Sequence, residues 1–259
     1  MIFADTHTHI YLDDFDGDRD EVMARCHQQG VEYLFCPNID LQSIPAMLQM
    51  CDSYPSCYPM IGLHPSEVKG NYQQVLQQIM EEAKKRAYVG VGEIGMDLYW
   101  DKTFETEQKK VLHEQLLWAQ SMNLPAIIHC RKAFAETWEV LKQLKGTVRG
   151  IFHCFAGDVA QAKKVIEKGF LIGIGGTLTY KNSGIQDVAK AIGLEHLVLE
   201  TDSPFLPPVP YRGQRNASFH IPVIAQQLSN LKKIPLNEVA EGTTNNALSL
   251  FNVKNTDNR

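Results

Sequence analysis

The chain begins MIFADTHTHI, and its two histidines stand two residues apart behind an aspartate at the end of an apolar run. Side chains on a strand alternate between faces, so Asp5, His7 and His9 are expected to share one face. Two imidazoles offered to a common point suit a divalent cation. Groups of the same kind recur along the chain: His64 in GLHP, Glu93 in GEIGMD, His129 in IIHCR, His153 in IFHCF, and Glu200 with Asp202 in LETDSP. Taken singly, His64, His129 or His153 reads as an ordinary hydrogen-bonded strand residue. As a set they predict something else, because carboxylates buried side by side are costly unless cations offset them. A pair of metal ions removes that cost. The remaining histidines (His27, His113, His196 and His220) lie in helix-like or loop segments and are expected at the surface or in packing roles.

Each of these groups closes a short apolar run. The runs are IFADTHTH, VEYLFCPN, CYPMIGLHP, VGVGEIGMD, PAIIHCR, GIFHCFA, FLIGIGG and LVLETDSP. Between them lie amphipathic stretches such as DRDEVMARCHQQG, NYQQVLQQIMEEAKKRA, FETEQKKVLHEQLLWAQSM and DVAQAKKVIEKG. In the third, Val111, Leu112, Gln115 and Leu116 return at helical spacing, and the helix must end before Pro125. Near-continuous apolar strands alternating with helices imply a parallel sheet covered by helices. Eight such units predict an α/β fold of the TIM (β/α)8 barrel type, whose active site opens at the C-terminal ends of the strands. No Gly-x-Gly-x-x-Gly follows the first strand, which argues against a dinucleotide fold. PLNEVAEGTTNNALSLF predicts a closing helix. A single domain is expected over 1–253, with a polar C-terminal tail over 254–259.

Composition narrows the function. The chain has 259 residues, 25 basic against 30 acidic, for a net charge of -5, so any grip on phosphates has to be local rather than a general basic surface. With no signal-like amino terminus and no apolar span of membrane length, a soluble cytoplasmic protein with no membrane partner is expected. The six cysteines form no CxxC pair and are expected to be reduced. Cys130 and Cys154, each one residue past a histidine, should face the helices as packing residues.

The blocks DTHTH, GLHP, GEIGMDLYWDKTF, IIHCRKAF, HCFAG and LETDSPFLPPVPYRGQRN, followed by TTNNALSLF, resemble in order those of the TatD-type metal-dependent hydrolases. The resemblance covers nearly the whole chain. HxH alone is shared by many metal-dependent barrel hydrolases, whereas its combination with a GEIG-type glutamate and ETDSP is far more specific. It implies a dinuclear site in a metal-dependent hydrolase barrel that cleaves phosphodiesters, often as a magnesium-dependent deoxyribonuclease. Carried over, His7, His9 and Asp202 hold one ion, His129 and His153 hold the other, Glu93 bridges them, and His64 sits beside the substrate phosphate. The chain departs from the family at Lys132, where an acidic residue is more usual, and at NASFHIP, which replaces a NEPAYV-like block.

Two cations ~3.5–4 Å apart can clamp the attacking and departing oxygens of a phosphoryl transfer. Asp202 is then the expected general base, with Glu93 and His64 completing the catalytic set. Glu200 and Asp5 are expected to steady the ligands from behind, Glu200 alternatively as a buried partner for a histidine or a backbone group. Arg131, Arg212 and Arg215 are expected to bind substrate phosphate, with Lys181 a weaker contributor, although each arginine could equally form a surface salt bridge. Mixed histidine and carboxylate ligands suit Zn²⁺, Mn²⁺ or Ni²⁺, while the family's nucleases are commonly run with Mg²⁺. The leading expectation is a hydrolase acting at the ends of DNA or an oligonucleotide. A second keeps the metals but turns them on a carboxyl ester or amide, as in D-aminoacyl-tRNA deacylases. A third, a metal-stabilised binding protein without activity, is disfavoured because a structural zinc is ordinarily closed by four ligands, often cysteines.

Overall fold

The structure, a computed structural model, describes residues 1–254. Most of the expected polar tail therefore lies outside the described residues. Eight strands form one parallel sheet in chain order: β1 (Phe3–Asp5), β2 (Val31–Pro37), β3 (Cys57–Ile61), β4 (Gly90–Asp97), β5 (Ala126–Arg131), β6 (Gly150–Phe152), β7 (Phe170–Ile174) and β8 (Leu197–Leu199). The two ends of the sheet meet through Thr6 N donating to the Leu199 carbonyl at 3.0 Å, Asp202 N to the His7 carbonyl at 2.9 Å, and His9 N to the Ser203 carbonyl at 2.8 Å. These bonds close the cylinder. All eight apolar runs of the sequence are its strands, and the fold is the expected TIM barrel.

Helices α1 (Arg19–Gln28), α2 (Ile44–Ser53), α3 (Tyr72–Ala83), α4 (Glu105–Ser121), α5 (Phe134–Gln143), α6 (Val159–Glu167), α7 (Ile185–Ala191) and α8 (Ile221–Lys232) cover the outside. Each buries an apolar stripe; in α4 the stripe is Val111, Leu112, Gln115, Leu116 and Ala119. None of the described helices is long and apolar enough to cross a membrane.

The closing helix α9 (Leu236–Phe251) brings Ala247, Leu248, Leu250 and Phe251 into one buried cluster with Ala4, Tyr33, Phe35, Met60, Ile127, Ile151 and Val198. The Phe251 ring stacks on Phe35 with centroids 3.9 Å apart. This cluster floors the barrel and determines where the polar residues go. Two residues beyond Ile127, Ile151 and Val198 stand His129, His153 and Glu200. The alternation of a strand therefore carries the inward face from an apolar floor to a polar mouth.

Candidate metal centre

Glu93 occupies the middle of the mouth, 3% exposed. Its Oε2 lies 3.1 Å from His7 Nε2 and 3.5 Å from His9 Nε2. Its Oε1 lies 2.7 Å from both His129 Nδ1 and His153 Nε2, and 3.3 Å from His64 Nε2. Asp202 Oδ1 is 3.7 Å from the Nε2 atoms of both His7 and His9. The rings of His7 and His153 stack at 3.9 Å, so the two groups share one pocket. The structure thus brings together His7, His9, His64, Glu93, His129, His153 and Asp202, with one Glu93 oxygen facing each histidine pair.

The fit to cations can be judged from the atoms themselves. Two imidazole nitrogens, His7 Nε2 and His9 Nε2, face each other at 3.2 Å, and both point at the same carboxylate. Ligand atoms close enough to share an ion occur in His7, His9 and Glu93. His7 Nδ1, His153 Nδ1 and Glu200 Oε2 are buried without a hydrogen-bond partner. The crowding of His7 Nε2 and His9 Nε2 on one carboxylate is what a cation between these nitrogens and Glu93 would offset.

The electrostatics agree. Burial would raise Glu93, but the imidazoles of His153, His64 and His7 and a hydrogen bond from His129 hold it well below the usual carboxylate range. Burial drives His7 well down. It opposes charge on His153 too, yet Glu93 and Glu200 carry that ring well up, and Asp97 and Glu93 likewise raise His129. The pocket holds an ionised carboxylate and draws positive charge toward it.

Two further residues choose which nitrogen each ligand presents. Asp97, at the end of β4, lies with Oδ2 3.0 Å from His129 Nε2, which holds a ring hydrogen there and turns Nδ1 toward Glu93 as the nitrogen an ion would take. Tyr11 donates its hydroxyl to the Pro37 carbonyl at 2.8 Å and so can only accept at its oxygen from His9 Nδ1, 3.1 Å away, leaving His9 Nε2 free. Neither residue was singled out from the sequence. A signal existed, since both stand at even spacing from a ligand: Glu93, Gly95, Asp97 and His7, His9, Tyr11. Gly95 lies between two of them because a Cβ there would fall 1.9 Å from the His129 carbonyl oxygen, and its φ is +146°.

His64 differs from the others. Its Nδ1 accepts from Ser66 N at 3.1 Å, so the neutral ring carries its hydrogen on Nε2, pointed at the cluster. That makes it a donor rather than a fifth lone pair.

Asp5 departs from expectation. Regular pairing of β1 ends at Asp5, and the alternation does not run on to the histidines. Ala4 belongs to the barrel floor, while the Asp5 carboxylate accepts from His7 N (3.2 Å), Thr201 N (2.9 Å) and Thr201 Oγ1 (2.5 Å). It is fully buried, and desolvation pushes it up to about 7. Asp5 ties the end of β1 to the segment after β8 through the main chain and touches neither imidazole. Glu200, fully buried, accepts from Cys154 N and lies 3.7 Å from His153 Nδ1, as a partner of backbone and histidine.

Cys130 faces α5 as expected, near Thr137. Cys154 does not face the helices. It has φ +42° and lies within reach of the charges of Asp202, Glu200 and Glu93, which together with burial push its thiol well up. All six cysteines are free thiols.

The arginines separate. Arg131 lies over the Tyr99 ring at 4.1 Å, beside His129. Arg212 lies over Tyr180 at 4.4 Å. Arg215 gives two of its donors to the Asp18 carboxylate (2.5 Å) and the Asp14 carbonyl, joining the loop before α8 to the loop before α1. It acts as a structural tie there. Lys181 is exposed. His27 pairs with Glu32 and His196 with Glu195, away from the cluster, and His220 is buried against Tyr211.

The family model for TatD related DNase matches residues 4–252. The uncharacterized metal-dependent hydrolase YabD of Bacillus subtilis is 35% identical, the match covering 98% of this chain and all of that protein. The uncharacterized metal-dependent hydrolase YjjV of Escherichia coli is 33% identical, over 97% of this chain and 98% of its own length. The crystal structure of this TatD homologue superposes with a TM-score of 0.91, covering 97% of this chain and 98% of that one. A TatD family hydrolase from Entamoeba histolytica, 22% identical, shares the fold at a TM-score of 0.84, over 98% of this chain and 99% of that one. In sequence along nearly its whole length, and in the barrel that displays its histidines, the chain belongs to the TatD family of metal-dependent hydrolases.

Proposed function

We propose that the protein is a metal-dependent phosphodiesterase acting on DNA ends, with two divalent ions held by His7, His9 and Asp202 on one side and His129 and His153 on the other, and Glu93 between them. The observation that carries this reading is the division of Glu93, whose two oxygens each face a separate histidine pair. The ions, when bound, supply Lewis acidity to the phosphoryl group and a lowered pKa to the attacking water. Zn²⁺, Mn²⁺ or Ni²⁺ suits these ligands by softness, and Mg²⁺ suits the phosphate.

The chain's own groups do the rest. Asp202 takes the proton from the attacking water. Its side chain is 16% exposed against 4% for Glu93, so it is the carboxylate that water reaches, and burial pushes it up to about 6. His64 donates from Nε2 to a non-bridging phosphate oxygen. Arg131 and Arg212, held over tyrosine rings, offer guanidinium donors to neighbouring phosphates. Phosphate is favoured over a carboxyl ester by these cations on a chain of net charge -5. The family's description as DNase-related supports the same substrate.

Purified protein, stripped and reloaded with Mg²⁺, Mn²⁺ or Zn²⁺, should release nucleotides from single-stranded DNA, and a chelator should stop it. Asp202→Asn should lower kcat by about 10²-fold or more. Intact DNA beside hydrolysis of an aminoacyl-tRNA or a simple ester, in the same preparation, would overturn the substrate.

A further inference from the structure

Next to the metal centre lies a cavity of about 410 Å³ between the segments that follow β5 and β6. That is within the range of small-molecule sites, roughly 300–1,000 Å³. His153 forms part of its wall, and Tyr99, Arg131, Lys132, Phe134 and Phe155 form much of the rest. It is therefore aromatic, cationic and in contact with a ligand-bearing residue.

Trp100 does not line the cavity itself but extends its rim, packing against two lining residues, Tyr99 and Arg131. Trp100 is 79% exposed and Tyr99 47% exposed, the indole meeting the phenol edge-to-face at 4.6 Å. The Arg131 guanidinium lies 4.1 Å from the Tyr99 centroid and 5.6 Å from that of Trp100. An indole left in water forgoes a large gain from burial unless another flat apolar surface covers it. The rim is also fixed relative to the metal centre by one side chain. Asp97 accepts from Tyr99 N with Oδ1 at 2.9 Å while its Oδ2 holds His129 at 3.0 Å. Whatever stacks on Tyr99 and Trp100 is thus registered against the ligands.

We propose that this cavity and its Trp100 rim are a nucleobase subsite, receiving the base attached to the phosphate bound at the metals. A nucleotide offers the π-face of its base to the indole and the guanidinium plane and its phosphate to Arg131 and Lys132, and such stacking is tolerant of sequence. The proposal rests on the nuclease reading and makes the substrate a nucleotide end with its base unstacked. Duplex ends must then fray before they are used.

The test titrates the Mg²⁺-loaded protein with thymidine 5′-monophosphate and with deoxyribose 5-phosphate, following tryptophan fluorescence and calorimetry. The nucleotide should quench the fluorescence saturably and bind at least about tenfold more tightly than the base-free phosphate. Trp100→Leu should abolish most of the quench and weaken nucleotide binding about tenfold, with no change for deoxyribose 5-phosphate. Because Trp100 is so exposed, this variant should fold normally, as its melting curve will show. Equal affinity for the two phosphates, or unchanged nucleotide affinity in Trp100→Leu, would overturn the subsite. Nucleotide binding through Trp100 in a protein that leaves DNA intact would reject the nuclease reading and keep the pocket.

Discussion

An imidazole is useful to a metal only if the correct nitrogen is bare, and in this centre that choice is made by residues that touch no cation themselves. Tyr11 settles it for His9, and Asp97 for His129. Losing such a partner typically weakens a metal site by about 10–100-fold. Tyr11→Phe should therefore weaken chiefly the ion at His7 and His9, and Asp97→Asn chiefly the ion at His129 and His153. Metal content after dialysis against graded chelator will separate them; equal loss of both ions in both variants would contradict the assignment. Residues of this kind are hard to see in a sequence. A tyrosine or aspartate that bonds a ligand has the same composition as one that faces water, and only the spacing of two from a histidine or from Glu93 marks it. Arg215 was less legible still, because its partner Asp18 lies far away in the chain and no local pattern joins them.

Among the elements, the barrel was readable because a parallel sheet is buried on both faces and its strands become unbroken apolar runs. All eight runs correspond to strands. The misplacement of Asp5 came from continuing an alternation beyond the last paired residue of β1, where the backbone turns to meet Ser203. Helices α2, α5, α7 and α8 were less marked in the sequence than α1, α3, α4, α6 and α9. Strand contact also places strict demands on single residues. A Cβ on Gly150 would stand 1.8 Å from the Ala126 carbonyl oxygen, inside the β5–β6 pairing that aligns His129 with His153. Gly150→Ala should cost more than about 3 kcal/mol, the strands being forced apart or unpaired. Urea unfolding monitored by circular dichroism will measure it. An unchanged midpoint would show that the strands are not as close as described.

For the whole molecule, stability should depend on pH through a group remote from the metals. His220 is 5% exposed and donates Nδ1–H to Asn216 Oδ1 at 2.9 Å. Burial, aided by the charge of Arg25, pushes it down to about 4 from the ordinary value of 6.5. Between those two values the unfolded chain binds more protons than the folded one. This contribution is therefore fully present above about pH 6.5 and is lost as the pH falls toward 4, by on the order of 2–3 kcal/mol. His220→Gln should flatten that part of the profile, and an identical slope in wild type and variant would contradict it. The chain as a whole brings six ionisable side chains, spread from His7 to Asp202, around one carboxylate, Glu93. The measurement that bears on this most directly is calorimetric titration of metal-stripped protein with Zn²⁺, for wild type and Glu93→Gln. Two ions bound by the wild type, with at least one lost or weakened about 100-fold or more by the variant, is the predicted result. A single ion in the wild type, or two bound equally well without the Glu93 carboxylate, would contradict the bridged pair.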